Sequence, residues 1–490
     1  MSSTRTFERR LLPRWLNSQS ASYVGLSGSA EIPLASDRSQ FQHIAAEREW
    51  IRDGSLFSAI DLVSSSLIYS DWDNFHSKSA AKYILDSDIS SSSARELAQC
   101  YLNGATFCLA YGGDETNEEI KALIARLRNS VRSTPIDPIS WLDLAYCYAF
   151  TGNSFRSIRA MKAAVSLAPH SILIARSAAR AFSHYGLVDD AVSVLRRAYS
   201  STGKLEFMIS EAAISMQYGA SSRAQSSLMK IYKREGVQGV GLGLRAELGA
   251  LIATVESFSG AHKRSRKIAS SVQRYVSDEN VLAQMEWLSK EERFDLEYRP
   301  ELPADFEADA IAAYTKGRYR EAVNACSSWL RYQPFSAAPS VHGSYIASVA
   351  LADFSMAEML SKIGYLFSSD EFMAVNNYAF SLAANGDPVS ATNVLSSLTL
   401  DGIDKKDRNT LLATSAFIAY KLGNIDEGRQ LYSKALSQFE RDKSRKSFAI
   451  AAHFWSMVDP SVRDRGILDK ALAIAKGENM QELLFYYKSN

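Results

Sequence analysis

Residues 141–169 have the sequence WLDLAYCYAFTGNSFRSIRAMKAAVSLAP, in which two apolar stretches meet at a Thr-Gly-Asn break. The glycine of the break, Gly152, can adopt the left-handed backbone that a tight connection between helices requires. Pro169 follows the second stretch, and proline cannot continue a helix. The segment therefore predicts a helical hairpin with a defined turn and a defined end.

The same pattern returns along the chain. It consists of a turn glycine, a small residue, a large apolar residue and a second small residue. Two copies lie 34 residues apart, and they are Gly152, Ser157, Met161, Ala164 and Gly186, Ala191, Leu195, Ala198. Further copies have their turns at Gly54, Gly219, Gly317, Ala352, Gly386 and Gly423. Because one hairpin cannot bury both of its apolar faces, repeated hairpins predict a stack of neighbouring pairs.

The composition agrees with an all-α fold. The 490 residues include only 11 prolines and 25 glycines, and stretches that alternate like β-strands are almost absent. The 55 basic residues nearly balance the 54 acidic ones, which is not the charge of a dedicated nucleic-acid binder. No apolar run approaches the roughly 20 residues of a transmembrane helix.

The hairpin resembles the tetratricopeptide repeat, whose pattern is W-x2-L-G-x2-Y, then A-x3-F-x2-A and a final P. Residues 138–171 match this pattern through Trp141, Leu144, Tyr148, Ala164 and Pro169, with Ala145, Ser157 and Met161 at the positions of the consensus Gly, Ala and Phe. The resemblance covers residues 138–232 and 303–440. It implies a right-handed superhelix, or α-solenoid, of stacked antiparallel helix pairs.

Two interruptions of the period suggest the domain organisation. A glycine-rich segment occupies residues 233–245, and a segment with two prolines and dense charge occupies 291–309. We predict a disordered tail (1–38), divergent helical repeats (39–136), an amino-terminal repeat block (137–290), a junction (291–308) and a carboxy-terminal repeat block (309–490). The junction is either a hinge or a rigid irregular connection.

The resemblance also indicates where a partner binds, because in this family the first helix of each repeat lines a concave groove. Transferred to this sequence, the groove positions fall on both repeat blocks. In the amino-terminal block they are Asp143, Tyr146, Phe150, Arg176, Arg180 and His184. In the carboxy-terminal block they are Asn376, Asn377, Phe380, Thr414, Phe417, Tyr420 and Lys421. Amide, aromatic and guanidinium groups of this kind can bind a peptide backbone, apolar side chains and carboxylates.

One known specialisation of the family does not fit. Its two-carboxylate clamp, which holds the acidic tails of chaperones, uses Lys, Asn, Asn, Lys and Arg over successive repeats. Here only the asparagines, Asn376 and Asn377, are convincingly present. We therefore do not expect an adaptor for chaperone tails.

Motifs for chemistry are missing from the sequence. The cysteines Cys100, Cys108, Cys147 and Cys326 contain no CxxC pair, and the seven histidines form no HExxH motif. The glycines of 233–245 do not form a phosphate-binding loop, since neither GxGxxG nor GK[ST] occurs. We expect no metal, no cofactor and no catalytic residue, and hence no enzyme.

The leading hypothesis is a non-enzymatic scaffold or adaptor that binds a protein or peptide partner in the groove. An RNA-binding helical-repeat protein is the first alternative, supported by Arg176, Arg180 and the basic segments 128–133 and 260–275. An enzyme or regulator with its activity in residues 39–136 is the second. The expected location is the cytoplasm, although residues 1–38, rich in Arg and Ser, also faintly resemble an organelle transit peptide.

Overall fold

A computed structural model describes residues 44–68, 74–103, 114–217, 223–236, 240, 242–276, 279–300, 302, 305–332, 336–367, 371–398, 403–464 and 466–489. Within these residues the regular structure is entirely helical. The tail predicted at 1–38 lies outside the described residues. The chain divides into two compact units, the first ending at Ala308 and the second beginning at Asp309.

The helices of the first unit follow one another with short connections. They are α1 (Ile44–Asp53), α2 (Leu56–Ile68), α3 (Phe75–Asp86), α4 (Ser92–Asn103), α5 (Asp114–Ser133), α6 (Pro138–Phe150), α7 (Ser154–Leu167), α8 (Ile172–His184), α9 (Val188–Thr202), α10 (Leu205–Gln217), α11 (Arg223–Glu235), α12 (Leu242–Phe258), α13 (His262–Val272) and α14 (Glu279–Glu292). A 3₁₀ turn, Gln273–Tyr275, follows α13.

The second unit continues in the same way, and its first helix includes the boundary. Its helices are α15 (Phe306–Thr315), α16 (Tyr319–Tyr332), α17 (Ala337–Val349), α18 (Phe354–Phe367), α19 (Phe372–Ala384), α20 (Pro388–Ser396), α21 (Lys405–Lys421), α22 (Ile425–Arg441), α23 (Arg445–Val458), α24 (Ser461–Asp464), α25 (Ile467–Gly477) and α26 (Gln481–Ser489).

The hairpin α6–α7 shows how local sequence sets these bounds. The carboxylate of Asp137 accepts hydrogen bonds from the backbone amides of Ile139 and Ser140, and Pro138 occupies the first helical turn; both features favour a helix start. Gly152 has φ +70° in the turn, a backbone that L-residues other than glycine rarely adopt. The amide oxygen of Asn153 then caps α7. The predicted turn is confirmed.

Small residues let the two helices approach. Ser157 is fully buried, and its hydroxyl donates to the carbonyl of Ala145 across the hairpin at 2.8 Å. Met161 and Ala164 are buried beside it. The same crossing recurs in the second unit, where a Cβ on Gly428 of α22 would lie 2.5 Å from Cδ2 of Tyr420 on α21. The repeat template therefore marks positions of close helix packing.

Successive pairs stack in both units. The first helices α6, α8, α10, α12 and α14 contact one another in turn, and so do α17, α19, α21 and α23. The predicted all-α fold of stacked antiparallel helix pairs is confirmed. No helix of the described residues is long and apolar enough to span a membrane.

Candidate functional site

The two candidate surfaces are formed by the first helices of the pairs. First helices contact each other directly from pair to pair and so form one continuous side of each stack. We call this side the inner face of its unit. All of the groove positions predicted from the sequence lie on these first helices, α6, α8, α19 and α21.

On α6 the predicted positions are more enclosed than an open groove would leave them. Asp143 and Tyr146 are buried, and Phe150 is only 1% exposed, its ring 5.1 Å from that of Tyr146. Trp141, at the packing position of the consensus, is less buried, and its indole nitrogen donates to the carbonyl of Pro135. The difference from the expectation arises because α6 is covered on nearly every side.

On α8 the inner face carries an ion pair. The guanidinium of Arg176 donates to both carboxylate oxygens of Glu247 on α12, at 2.7 and 3.3 Å. The two side chains are only 16% and 10% exposed. Arg180 is half-buried one turn further along, and the ring of His184 lies 4.9 Å from that of Tyr185. The contact spans two helix pairs, so side chains bridge the inner face.

Negative charge dominates the buried ionisable groups of the first unit. Every buried ionisable side chain in its described residues, thiol and phenol groups apart, is a carboxylate, namely Asp61, Asp137, Asp143, Glu206, Glu211, Glu247, Glu256, Glu279 and Glu292. Several are neutralised by arginines nearer the surface, as in the pairs of Arg196 with Glu211 and of Arg264 with Glu256. Negative charge buried in this unit is thus offset by arginines of the same unit.

The basic segment 260–275 is tied to these carboxylates. Arg264 pairs with Glu256, and Arg266 donates to the backbone carbonyl of Glu292 at 3.2 Å. His262 lies 3.0 Å from Oε1 of Glu292. Burial alone would raise the pKa of Glu292, but hydrogen bonds from Ser257 and His262 hold it below its usual value. Much of the basic charge of this segment is therefore used inside the unit.

In the second unit, the predicted asparagines connect neighbouring first helices. The amide oxygen of Asn376 accepts from the hydroxyl of Thr414 on α21 at 2.8 Å. Asn377 donates instead to α17, to the carbonyl of Val341 at 3.3 Å and the hydroxyl of Ser344 at 3.1 Å. Two adjacent amides thus hold α19 between its neighbours.

An aromatic cluster fills the same face. The ring of Phe380 lies 4.8 Å from Phe417 and 4.4 Å from Phe454 on α23. Phe417 is 2% exposed, and the ammonium of Lys421 lies 5.6 Å from the centre of its ring. The repeat pattern predicts that Phe417 faces an open groove, whereas the rings of Phe380 on α19 and Phe454 on α23 pack against it.

Tyr420 belongs to a buried polar network. Its hydroxyl donates to Asp459 at 2.7 Å and accepts from the indole nitrogen of Trp455 at 2.8 Å. Burial and the neighbouring carboxylate raise the pKa of Tyr420 to about 12. Arg429, hydrogen-bonded to Asp459 at 2.9 Å, holds the pKa of that carboxyl well below its usual range. The network joins α21, α22 and the end of α23.

A further occupant of this face, the helix α26, has no counterpart among the residues predicted from the sequence. The hydroxyl of Tyr345 on α17 donates to the carboxylate of Glu482 at 2.9 Å, across 137 residues of chain. At the other end, the hydroxyl of Tyr487 lies 2.8 Å from Nδ1 of His453 on α23. In the sequence, the aromatic run at 485–487 could have indicated that this helix packs against other parts of the chain. A run of this kind does not show which residues it contacts.

Groups suited to metal binding do not assemble in the described residues. No three His, Cys, Asp or Glu side chains among them come together in a way that could hold a metal ion. The thiols of Cys147 and Cys326 are buried, and burial raises the pKa of the Cys147 thiol. A buried, protonated thiol is a poor nucleophile.

No protein-family model matches the chain, and neither does any curated protein sequence. Solved structures do match. The human IFIT1 dimer with PPP-AAAA shares 15% identity at a TM-score of 0.37, over 76% of this chain and 94% of that chain. The Cut9 and Hcn1 hetero-tetramer of the APC/C shares 12% identity at a TM-score of 0.40, over 91% of this chain and 87% of that chain. Yeast Tom70 shares 12% identity at a TM-score of 0.30, over 76% of this chain and 92% of that chain.

In fold, the chain is similar to helical-repeat proteins of the tetratricopeptide type. The similarity concerns the fold alone. Its own stacked pairs give the chain a helical-repeat fold.

Proposed function

We propose that the chain is a non-enzymatic interaction scaffold or adaptor that binds a protein or peptide partner on its inner faces. The observation that carries this proposal is the inner face of the second unit, which already accommodates a helix. There α26 contacts α17 through Glu482 and α23 through Tyr487. A surface that fits one amphipathic helix has the shape and chemistry to bind another.

Electrostatics favours a protein over RNA. The buried ionisable groups of the first unit are carboxylates, and Arg176, one of the arginines that suggested RNA binding, is bidentate to Glu247. Affinity for nucleic acid depends chiefly on lysines and arginines that neutralise phosphates. An arginine already paired with a buried carboxylate contributes little to that affinity.

The experiment begins with affinity capture by the intact chain, followed by titration of the purified partner. Lys421→Ala, at a predicted groove position on the inner face of the second unit, is expected to weaken binding by at least about tenfold, because a charged anchor contributes more than about 1.4 kcal/mol. The matched control is Lys434→Ala, which removes the same side chain from an exposed position on α22. Equal binding by both variants would contradict the assignment of the inner face.

The RNA alternative is tested by filter binding of the same preparation. We expect no retention of single-stranded RNA at low salt. Retention that falls steeply with added salt would overturn the proposal in favour of nucleic-acid binding. The cytoplasm stays the predicted compartment, and cell fractionation tests it.

A further inference from the structure

The last described helix, α26, bridges first helices that are separated in the stack. It contacts α17 through Glu482 and α23 through Tyr487, although α19 and α21 lie between those two helices. It also reaches the start of α16, where the ring of Phe485 lies 5.0 Å from that of Tyr319. Helix α26 therefore lies along the inner face, where the concave groove was predicted to bind a partner.

The carboxylate of Glu482 is recognised by tyrosines. It is buried, and it accepts the hydrogen bond of Tyr345 at 2.9 Å. Tyr314 hydrogen-bonds the same carboxylate, and burial together with the charge of Glu482 raises the pKa values of Tyr314, Tyr319 and Tyr345. These hydroxyls consequently stay protonated and remain donors. The arrangement is a binding site for one carboxylate, built by side chains of α15, α16 and α17.

The second anchor is aromatic. The ring of Tyr487 packs edge-on against His453 with centroids 5.4 Å apart, and its hydroxyl lies 2.8 Å from Nδ1 of His453 and 3.3 Å from the hydroxyl of Ser456. Tyr486 packs against the other part of the same imidazole at 4.9 Å. Leu483 is buried between the two anchors.

This chemistry resembles that of an interface more than that of a permanent core. Burying a carboxylate costs several kcal/mol of desolvation, and apolar residues of similar size would generally stabilise a core at least as well. Hydrogen bonds to a buried charge do fix register and select among ligands. Helix α26 is joined to α25 through Asn479, whose φ is +55°, and Phe485 on it remains 37% exposed.

We propose that α26 occupies in cis the site at which the second unit binds a helical segment of its protein partner. The partner segment then carries the same order of groups as α26: a carboxylate, an aliphatic residue directly after it, an aromatic ring three residues after the carboxylate and a tyrosine five residues after it. Binding of the partner displaces α26. This inference rests on the proposed scaffold function and specifies its ligand.

The test uses the intact chain and a fluorescent peptide with the sequence of residues 478–490. The double variant E482A/F485A weakens the docking of α26, and K488A, which changes an exposed residue of the same helix, is the matched control. A site that α26 leaves free no more than about one tenth of the time binds an added ligand at least about tenfold more weakly than a site that is always free. We therefore expect the double variant to bind the peptide at least about tenfold more tightly than wild type and K488A. A peptide with the E482A and F485A changes should not bind.

Hydrogen exchange on the same samples separates the outcomes. We expect amides of 481–489 to exchange faster in the double variant while those of 306–458 keep wild-type protection. Loss of protection throughout 306–458 would show that α26 is part of the core and would overturn the inference, as would an intact double variant that fails to bind the peptide. A wild-type dimer that exchanges α26 between copies would also overturn it, since the occupant would then be a second copy.

Failure of this inference is distinct from failure of the proposed function. If the intact chain captures a partner that wild type and double variant bind equally, the scaffold function holds and the role of α26 is refuted. If the peptide binds the double variant but no protein partner is captured, the site exists and the scaffold function fails.

Discussion

Arg176 on α8 and Glu247 on α12 form a bidentate ion pair, which joins first helices that are two helix pairs apart. Both side chains are largely shielded from water. The pair joins two first helices that are separated by α10. Removing one partner of such a shielded pair costs more than breaking an exposed ion pair, because the remaining charge stays away from water.

We predict that Arg176→Ala lowers the unfolding free energy of the first unit by about 3 kcal/mol, because Glu247, only 10% exposed, would lose two charge-assisted hydrogen bonds. Urea dependence of hydrogen exchange in 242–258 measures the change. The matched variant Arg126→Ala, which breaks an exposed pair with Glu96, should cost less than about 1 kcal/mol. The double variant R176M/E247L should recover most of the loss, and a double variant as unstable as R176A would contradict the explanation.

We predict that Phe417→Ala lowers the stability of the second unit by about 3–5 kcal/mol, because it leaves a cavity between Phe380 and Phe454. The repeat pattern alone places Phe417 on an open groove, where its removal would hardly affect unfolding. Thermal and urea unfolding distinguish a buried Phe417 from one that lies on an open groove. Phe155→Ala serves as control, since that ring is 67% exposed and its loss should change stability by less than about 0.5 kcal/mol.

We predict that Gly428→Ala destabilises the pair α21–α22 by about 1–3 kcal/mol, because the added methyl group would overlap the ring of Tyr420. Gly477→Ala makes the same chemical change in a helix with open space around it. It should alter stability by less than about 1 kcal/mol. Equal effects of the two substitutions in urea unfolding would argue against close packing at Gly428.

We predict that the second unit loses stability as pH falls below about 6.5, the usual pKa of histidine. Burial lowers the pKa of His453 to about 3, so the unfolded chain binds a proton between these values that the folded chain does not. The contribution of His453 is therefore complete above the unfolded pKa and declines by about 1.4 kcal/mol per pH unit through the window down to the folded pKa.

The measurement is the unfolding free energy of the second unit between pH 7 and pH 4.5, a range above the unfolded pKa of the Asp459 carboxyl. His453→Phe should flatten the slope by about one proton. His76→Phe, in the first unit, should leave it as in wild type. A slope unchanged by His453→Phe would show that other groups cause the acid sensitivity.

Local chemistry explains which features of the fold could be predicted from the sequence. Gly152 marks the turn because glycine adopts the required positive φ with ease. Asp137 marks a helix start because its carboxylate accepts hydrogen bonds from the first backbone amides, and Pro138 fits there because it has no amide hydrogen that needs a partner. Ser157 and Ala164 mark a helix crossing because bulkier side chains would separate the backbones. All of these interactions join residues within about 35 positions of one another, the length of one repeat. They recur in each repeat, and this makes them visible in the sequence.

The inner faces were decided by the tertiary structure. The repeat pattern predicts groove positions at Tyr146 and Phe417, but it could not show that both side chains are buried in the folded chain. The partners of Arg176 and Tyr345 lie 71 and 137 residues away, and sequence spacing carries no information on such distances. The sequence by itself thus determined the hairpins and their repeated packing, whereas contacts between residues far apart in the chain, those of Glu482 with Tyr345 and of Tyr487 with His453, determined that α26 lies on the inner face of the second unit.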